Sequence, residues 1–196
     1  MSKSGPIDLA REEIWGHVTI RDAITREILM DSDNSIHFEN FSVALARSIS
    51  GQSAGFINTI AFGNGGSMVD GVGAITYLPP NVTGTTATLY SQTYQKTGLY
   101  TSETGTSGYD PANTIEVQHM GGTTYTDIII IATLDYGEPA GQDAVDNGGS
   151  NGTYVFDELG LISVDNHLLT HVIFNPIQKS LNRKIEIEYT VRLTMV

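Results

Sequence analysis

From Lys184 to Val196 the chain alternates without a miss. Ile185, Ile187, Tyr189, Val191, Leu193 and Met195 stand against Lys184, Glu186, Glu188, Thr190, Arg192 and Thr194. Successive side chains on a strand point to opposite faces, so the segment reads as a strand with one apolar face and one charged or hydroxylated face. Such a strand belongs in a sheet, and it points to a compact β protein. No catalytic signature of comparable clarity stands upstream of it.

Composition agrees with that class. The 196 residues are enough to bury a core without staples, and the 21 glycines together with many Thr, Ser and Asn favour turns and strands. There is no cysteine, which removes disulfides and thiolate metal sites. A net charge of −12 argues against a nucleic-acid partner, because phosphate neutralisation needs clustered Lys and Arg. Positive charge sits at the two ends, in Arg11, Arg21, Arg26 and Arg47, then Lys179, Arg183, Lys184 and Arg192. Lys96 is the one basic residue between Arg47 and Lys179. Asp135, Glu138, Asp143, Asp146, Asp157 and Glu158 crowd the stretch in between. This segregation is read either as a solvated acidic region or as complementarity between the ends of one copy and the middle of another. Met1 to Glu13 has no leader-like apolar run, and the longest apolar run, Ile128 to Ala132, is far short of the ~20 residues that span a bilayer. The expectation is a product that neither enters a membrane nor is exported by the common route.

Along the chain, residues 1–13 are expected to form a flexible arm and residues 14–196 a single β-rich domain. Ile14 to Ile20 and Glu27 to Met30 read as strands, with Asp31 to Ser35 as polar punctuation. His37 to Ser50 is the best helix, with Phe38, Phe41, Leu45 and Ile49 on one stripe, Asn34 or Ser35 as cap and Gly51 as stop. Phe56 to Phe62, Val72 to Tyr77 and Ala87 to Tyr90 follow as strands, and Thr97 to Asn113 as a long loop. Ile115 to Met120 and Thr124 to Leu134 form a hairpin around Gly121-Gly122, with Ile128 to Ile131 expected to be buried on both faces. Tyr136 to Thr153 is a second long loop. Tyr154 to Ser163 and Leu168 to Phe174 flank a turn at Val164 to His167, and Asn175-Pro176 is expected to end the second of them. The fold class is therefore mainly β, a β-sandwich or jelly-roll-like domain with one short N-terminal helix. A strand near a chain terminus can lie at a sheet edge, where exposed backbone groups invite pairing.

The search for chemistry yields few candidates. None of the five histidines forms a HExxH pair, and His167 with His171 lies in a strand-turn-strand context that need not align them. Gly63-Asn64-Gly65-Gly66 lacks the Lys-Ser or Lys-Thr of a phosphate loop, so its glycines read as tight-turn residues. Asp143 and Asp146, with Asn147, supply oxygens of the kind that hold Ca²⁺ but not at calcium-loop spacing. Asp157 and Glu158, or Asp165, are the carboxylates available for hydrolysis; as strand neighbours, Asp157 and Glu158 are expected to face opposite ways. Tyr90, Tyr94, Tyr100 and Tyr109 are available as a sugar-binding surface or as core and interface filler. Nothing in these patterns demands an enzyme, a cofactor or a metal.

Three stretches together carry a resemblance. They are Asn34 to Ala46 with Ile60 to Gly66; Leu89 to Lys96; and Tyr154 to Leu161 with Leu169 to Phe174, Lys179 to Arg183 and the terminal strand. Taken together, they resemble virion structural proteins of tailed bacteriophages. The resemblance implies a β-rich subunit that works by assembly as a capsid decoration or cement protein, or as a neck, tail or baseplate accessory. It would be made in the bacterial host cytoplasm, reside in the virion, form a homo-oligomer and contact other virion proteins. Candidate contact residues are Arg11, Trp15, Glu186, Glu188 and Arg192. The alternatives are a glycan-binding or receptor-binding module of the tail or fibre, and a tail-associated glycan hydrolase.

Overall fold

The computed structural model describes residues 11–52, 55–101, 110–141 and 154–196, and their strands build a two-layer β-sandwich with one helix. In chain order the first elements are β1 (Glu12–Asp22), β2 (Ile28–Asp33), β3 (Ser35–Ile36), α1 (Phe38–Ile49) and β4 (Ile57–Gly63). Next come β5 (Ser67–Val69), β6 (Ile75–Tyr77), β7 (Gln92–Thr97), β8 (Tyr100–Thr101), β9 (Asn113–His119) and β10 (Tyr125–Leu134). The last three are β11 (Val155–Ser163), β12 (Thr170–Gln178) and β13 (Ile185–Met195). One sheet runs β2-β1-β13-β10-β9-β8, the other β3-β12-β11-β4-β7, and β5 pairs with β6 alone.

The terminal alternation holds residue by residue. Ile185, Ile187, Tyr189 and Val191 are buried between the sheets, while Glu186, Glu188, Thr190 and Arg192 lie on the outer side. β13 takes no edge position: it is interior, paired along its length with β1 and β10. Val18, Ile20, Ile130 and Leu134 from the same sheet meet Ile60, Phe62, Phe156, Leu159 and Leu161 from the other. Tyr189 brings a hydroxyl into this core, where Thr170 and Asn34 satisfy it. Gly16 makes room for Asn34, whose Oδ1 would lie 1.9 Å from a Cβ at that position.

Several expectations are corrected. The strand begins at Glu12, inside the segment expected to be an arm, and Arg11 exchanges backbone hydrogen bonds with Val196. Asp31 to Ser35 continues β2 and enters β3 instead of breaking the chain. Because Ser35 and Ile36 pair with β12, neither Asn34 nor Ser35 caps the helix. The cap is His37, whose Nδ1 accepts the Asn40 N–H at 3.2 Å while Nε2–H donates to the Gly84 carbonyl. Only one side of α1 is buried, at Asn40, Phe41 and Ala44; Phe38 and Ile49, from the expected stripe, are exposed. Val72 sits in the turn of the β5–β6 hairpin, not in a strand. Ala87 to Tyr90 is no strand, and β12 runs through Asn175-Pro176 to Gln178. Proline is accommodated there because β3 reaches only to His171, leaving β12 paired on one side, and the β11–β12 register shifts nearby. Ile130 is buried, but Ile129 and Ile131 are only half-buried on the outer side, so that run is not sealed on both faces.

Candidate interaction face

Odd-numbered residues of β1, even-numbered residues of β13 and odd-numbered residues of β10 share the outer side of the six-stranded sheet. The register aligns them in rows: Trp15, Arg192 and Asp127; His17, Thr190 and Ile129; Thr19, Glu188 and Ile131; Arg21, Glu186 and Thr133. Four of the five expected contact residues therefore converge on one face, with Arg11 at its corner beside Val196.

The first row is tightly organised. Arg192 donates from Nε and Nη2 to the two carboxylate oxygens of Asp127, at 2.7 and 2.8 Å. Its guanidinium lies 4.1 Å from the centre of the Tyr125 ring and 5.9 Å from that of Trp15. Trp15 also stacks on His17, with centroids 5.6 Å apart and planes 13° from parallel. The bidentate guanidinium holds the Asp127 carboxyl below the usual carboxylate range, and Asp127 in turn raises Arg192. His17 bonds Asp33 at 3.0 Å and Asp31 at 2.7 Å; these bonds, Asp33 first, raise its pKa above the usual histidine value despite some burial. Arg21 pairs with Glu188 and Glu186, and Arg26 also reaches Glu186. The ends of the chain and its middle meet within one molecule, through Arg192–Asp127, Lys184–Asp135 and Arg47–Asp165. The result is a sheet face whose side chains hold one another in place, with Trp15 left 44% exposed.

The polar residues of the second sheet are arranged differently. A β-bulge between Phe156 and Glu158 breaks the period of two, so Asp157 and Glu158 both engage the same β4–β5 loop, against the expectation that they diverge. Glu158 is fully buried and accepts the backbone N–H groups of Gly65, Tyr90 and Ser91 and Nε2–H of His171, at 2.7 to 3.1 Å. Nδ1 of His171 accepts the Asn81 N–H at 2.8 Å, which places the ring proton on Nε2. Burial pushes the Glu158 carboxyl up, but His171 and the three N–H groups outweigh it and hold the pKa below its ordinary value. Asp157 accepts from Gly66 N–H, Ser67 N–H and the Ser67 hydroxyl. The glycine-rich loop thus does bind anions, and they are the protein's own carboxylates. Residues 79–91 close over this layer, with Leu89 packed on Ala61, Ile162 and Leu168. These carboxylates offer no open nucleophile or proton donor to a substrate.

The remaining expected sites separate. His171 lies in that buried layer, whereas His167 pairs with Asp165, so the two histidines do not form a metal pair. Asp165 also takes Arg47 and the Ser163 hydroxyl. Tyr90 leans on His171 outside the second sheet and Tyr94 packs on Phe62, so they form no common platform. Asp143, Asp146 and Tyr109 lie outside the described residues, as does the side chain of Tyr100. Among the described residues no cluster of three or more His, Cys, Asp or Glu side chains is placed to hold a metal, and no helix is long and apolar enough to cross a membrane. Sequence reading missed Tyr125, Asp127, His17 and Arg21 as members of the face. The signal for them was in-phase alternation in strands far apart in the chain, which has no meaning until the register is known.

In comparisons with known proteins, no family model matches the chain, and neither a curated protein nor a solved structure is similar to it.

Proposed function

We propose that this chain is a structural subunit of a tailed-bacteriophage virion, a capsid decoration or cement protein or a neck or tail accessory, and that it acts by assembly. The observation that carries the reading is the outer face of β1, β13 and β10. Its Arg21, Glu186, Glu188, Arg192 and Asp127 are paired within the chain, and an exposed tryptophan stands beside an arginine held between two rings. Tryptophan, tyrosine and arginine are the residues that most often anchor protein contacts. The sealing of Asp157, Glu158 and His171 inside the second sheet supports a role in contact over one in catalysis. In this reading the protein is made in the host cytoplasm and incorporated into particles, as copies that pack on one another and on neighbouring virion proteins. The test is mass spectrometry of purified particles together with light scattering of the free protein. Presence in the particle and a dimer or trimer in solution are the expected results. A strict monomer absent from particles would end the proposal.

A second reading draws on one local feature. Beside Asp127 and Tyr125, residues Gln118, His119 and Met120 line a depression of about 360 Å³, and aromatic rings next to paired polar groups suit a sugar. A glycan array run with Ca²⁺ separates the two. Binding that Tyr125→Ala abolishes favours a receptor-binding module; an array without signal leaves the assembly reading alone.

A further inference from the structure

We propose that the β5–β6 hairpin of one copy seats in an apolar groove beside α1 of a second copy, joining copies head to tail. The contact deepens the assembly reading and rests on it for its biological setting.

The hairpin is an unusual surface element. Its strands pair only with each other, and Met68, Val69, Val72, Ile75 and Tyr77 are all exposed, Val72 at 89%. Val69 and Ile75 are directly opposed, with Tyr77 on the same face. Between Ser67 and Tyr77 the only charge is the exposed Asp70, whose Oδ1 accepts the N–H groups of Val72 and Ala74 across the turn, each at 2.9 Å. Gly73, with φ at +87°, completes that turn. The base is fixed by Asp157 on Ser67, by Leu78 N–H on the Gly66 carbonyl and by Tyr77 on Asn175. A preordered apolar tip loses little entropy on docking, and a surface loop with no partner would ordinarily be polar.

The groove is its chemical match. About 260 Å³ in volume, it lies between the half-buried helix and the inner side of the six-stranded sheet, lined by Leu45, Phe56, Ile115, Val117, Ile128 and Leu193 among others, none of them charged. Val117 shares the inward-facing phase of its register partner Ile128, yet is 71% exposed, with no strand or helix of the described residues packed over it. A cavity of roughly 150 Å³ holds a benzene ring, so this one takes about two aliphatic side chains, the size of the hairpin tip. The groove sits at the Ile57 end of β4 and the hairpin leaves its Gly63 end. Six residues of strand, about 20 Å, separate them, which assigns the hairpin to another copy's groove and not to its own. A contact between two different patches is heterologous and repeats, closing into a ring or extending as a filament. Each copy carries a net charge of −12, so copies repel at low ionic strength, and salt should promote this apolar contact.

Because the chain has no cysteine, single cysteines report the contact cleanly. Three full-length variants at exposed positions, Val72→Cys, Val117→Cys and Thr86→Cys, are oxidised in pairwise mixtures, and covalent dimers are counted by mass spectrometry. The 72–117 product should exceed the 86–117 product by at least about tenfold through the raised effective concentration. The excess should grow with salt. It should vanish when Val69→Asp is added to the Val72→Cys chain, with circular dichroism unchanged because Val69 is exposed. Equal yields in the two mixtures would overturn the proposal, as would an intrachain 72–117 bridge in the dilute double variant. A 72–117 product that forms only after residues 1–10 are removed would assign the groove to the chain's own N-terminal segment and overturn it as well. Particle composition is an independent readout: a chain found in virions without this contact keeps the assembly reading and discards the hairpin.

Discussion

The two sheets treat their outward-facing polar residues in opposite ways. On the five-stranded sheet, Glu158, His171 and Asp157 lie under residues 79–91 and the β4–β5 loop, each bonded to backbone N–H groups or to one another. On the six-stranded sheet, Trp15, His17, Glu188 and Arg192 remain on an open surface and pair sideways across strands. Glycine makes much of the difference. A Cβ on Gly63 would lie 2.5 Å from the Ser91 carbonyl oxygen, and one on Gly160 would lie 3.0 Å from Leu89 Cδ1, so residues 89–91 approach the second sheet closely where these side chains are missing. The outer rows of the first sheet include long or aromatic side chains such as Trp15, Arg21 and Arg192 instead, and Trp15 remains 44% exposed. One sheet has its polar groups sealed for stability; the other has them arranged and left accessible.

The sharpest break in this contrast comes from the shared interior. Ile187→Asp or Val191→Asp puts an unpaired charge at a fully buried position of the central strand, and should cost more than about 4 kcal/mol and remove soluble protein. Glu186→Gln and Glu188→Gln, on the outer side of the same strand, should stay within about 1 kcal/mol by urea unfolding. Equal loss from both sets would refute the assignment of faces.

Next in size is the sealed layer. Glu158→Gln leaves a neutral amide among donors that need an anionic acceptor, and should destabilise by about 2–4 kcal/mol in urea. Since the folded pKa of Glu158 is lowered, its contribution is present above its unfolded pKa and lost as pH falls through the folded one. Stability of the parent protein should therefore drop through the acid range below about pH 4.5, and that drop should be shallower in Glu158→Gln.

Effects on the open face should be smaller. Arg192→Ala removes a partly exposed pair and two ring contacts, and it should weaken assembly, read by light scattering, much more than stability, read by urea unfolding. The smallest effect concerns His17. With its pKa raised, its bonds to Asp31 and Asp33 stabilise fully below its unfolded pKa, about 6.5, and that stabilisation is lost as pH rises through the folded value. A few tenths of a kcal/mol is expected at this exposed site, read as loss of amide protection in β2 above neutral pH.

How much of this is visible before folding depends on range. The faces of β13, the β9–β10 hairpin and the helix span are legible because periodicity within about ten residues fixes them. The bulge at Asp157 is not, since it arises from pairing with β12 across the turn. Residues 87–90 carry a strand-like composition, but the Tyr90 N–H turns to the Glu158 carboxylate instead of a neighbouring strand. Trp15 and Arg192 are both conspicuous residues, yet their adjacency comes from the β1–β13 register, which joins positions far apart in the chain. Composition marks the candidate face, and topology assembles it.

Trp15 is the sole tryptophan of the chain and lies within the proposed contact face. Hydroxyl-radical footprinting with peptide-resolved mass spectrometry compares its oxidation in the free protein and in purified particles. Contact through this face predicts ready oxidation of Trp15 in the free chain and several-fold protection in the particle, with Tyr125 protected alongside it. A chain present in the particle with Trp15 oxidised as fast as in solution would contradict the account.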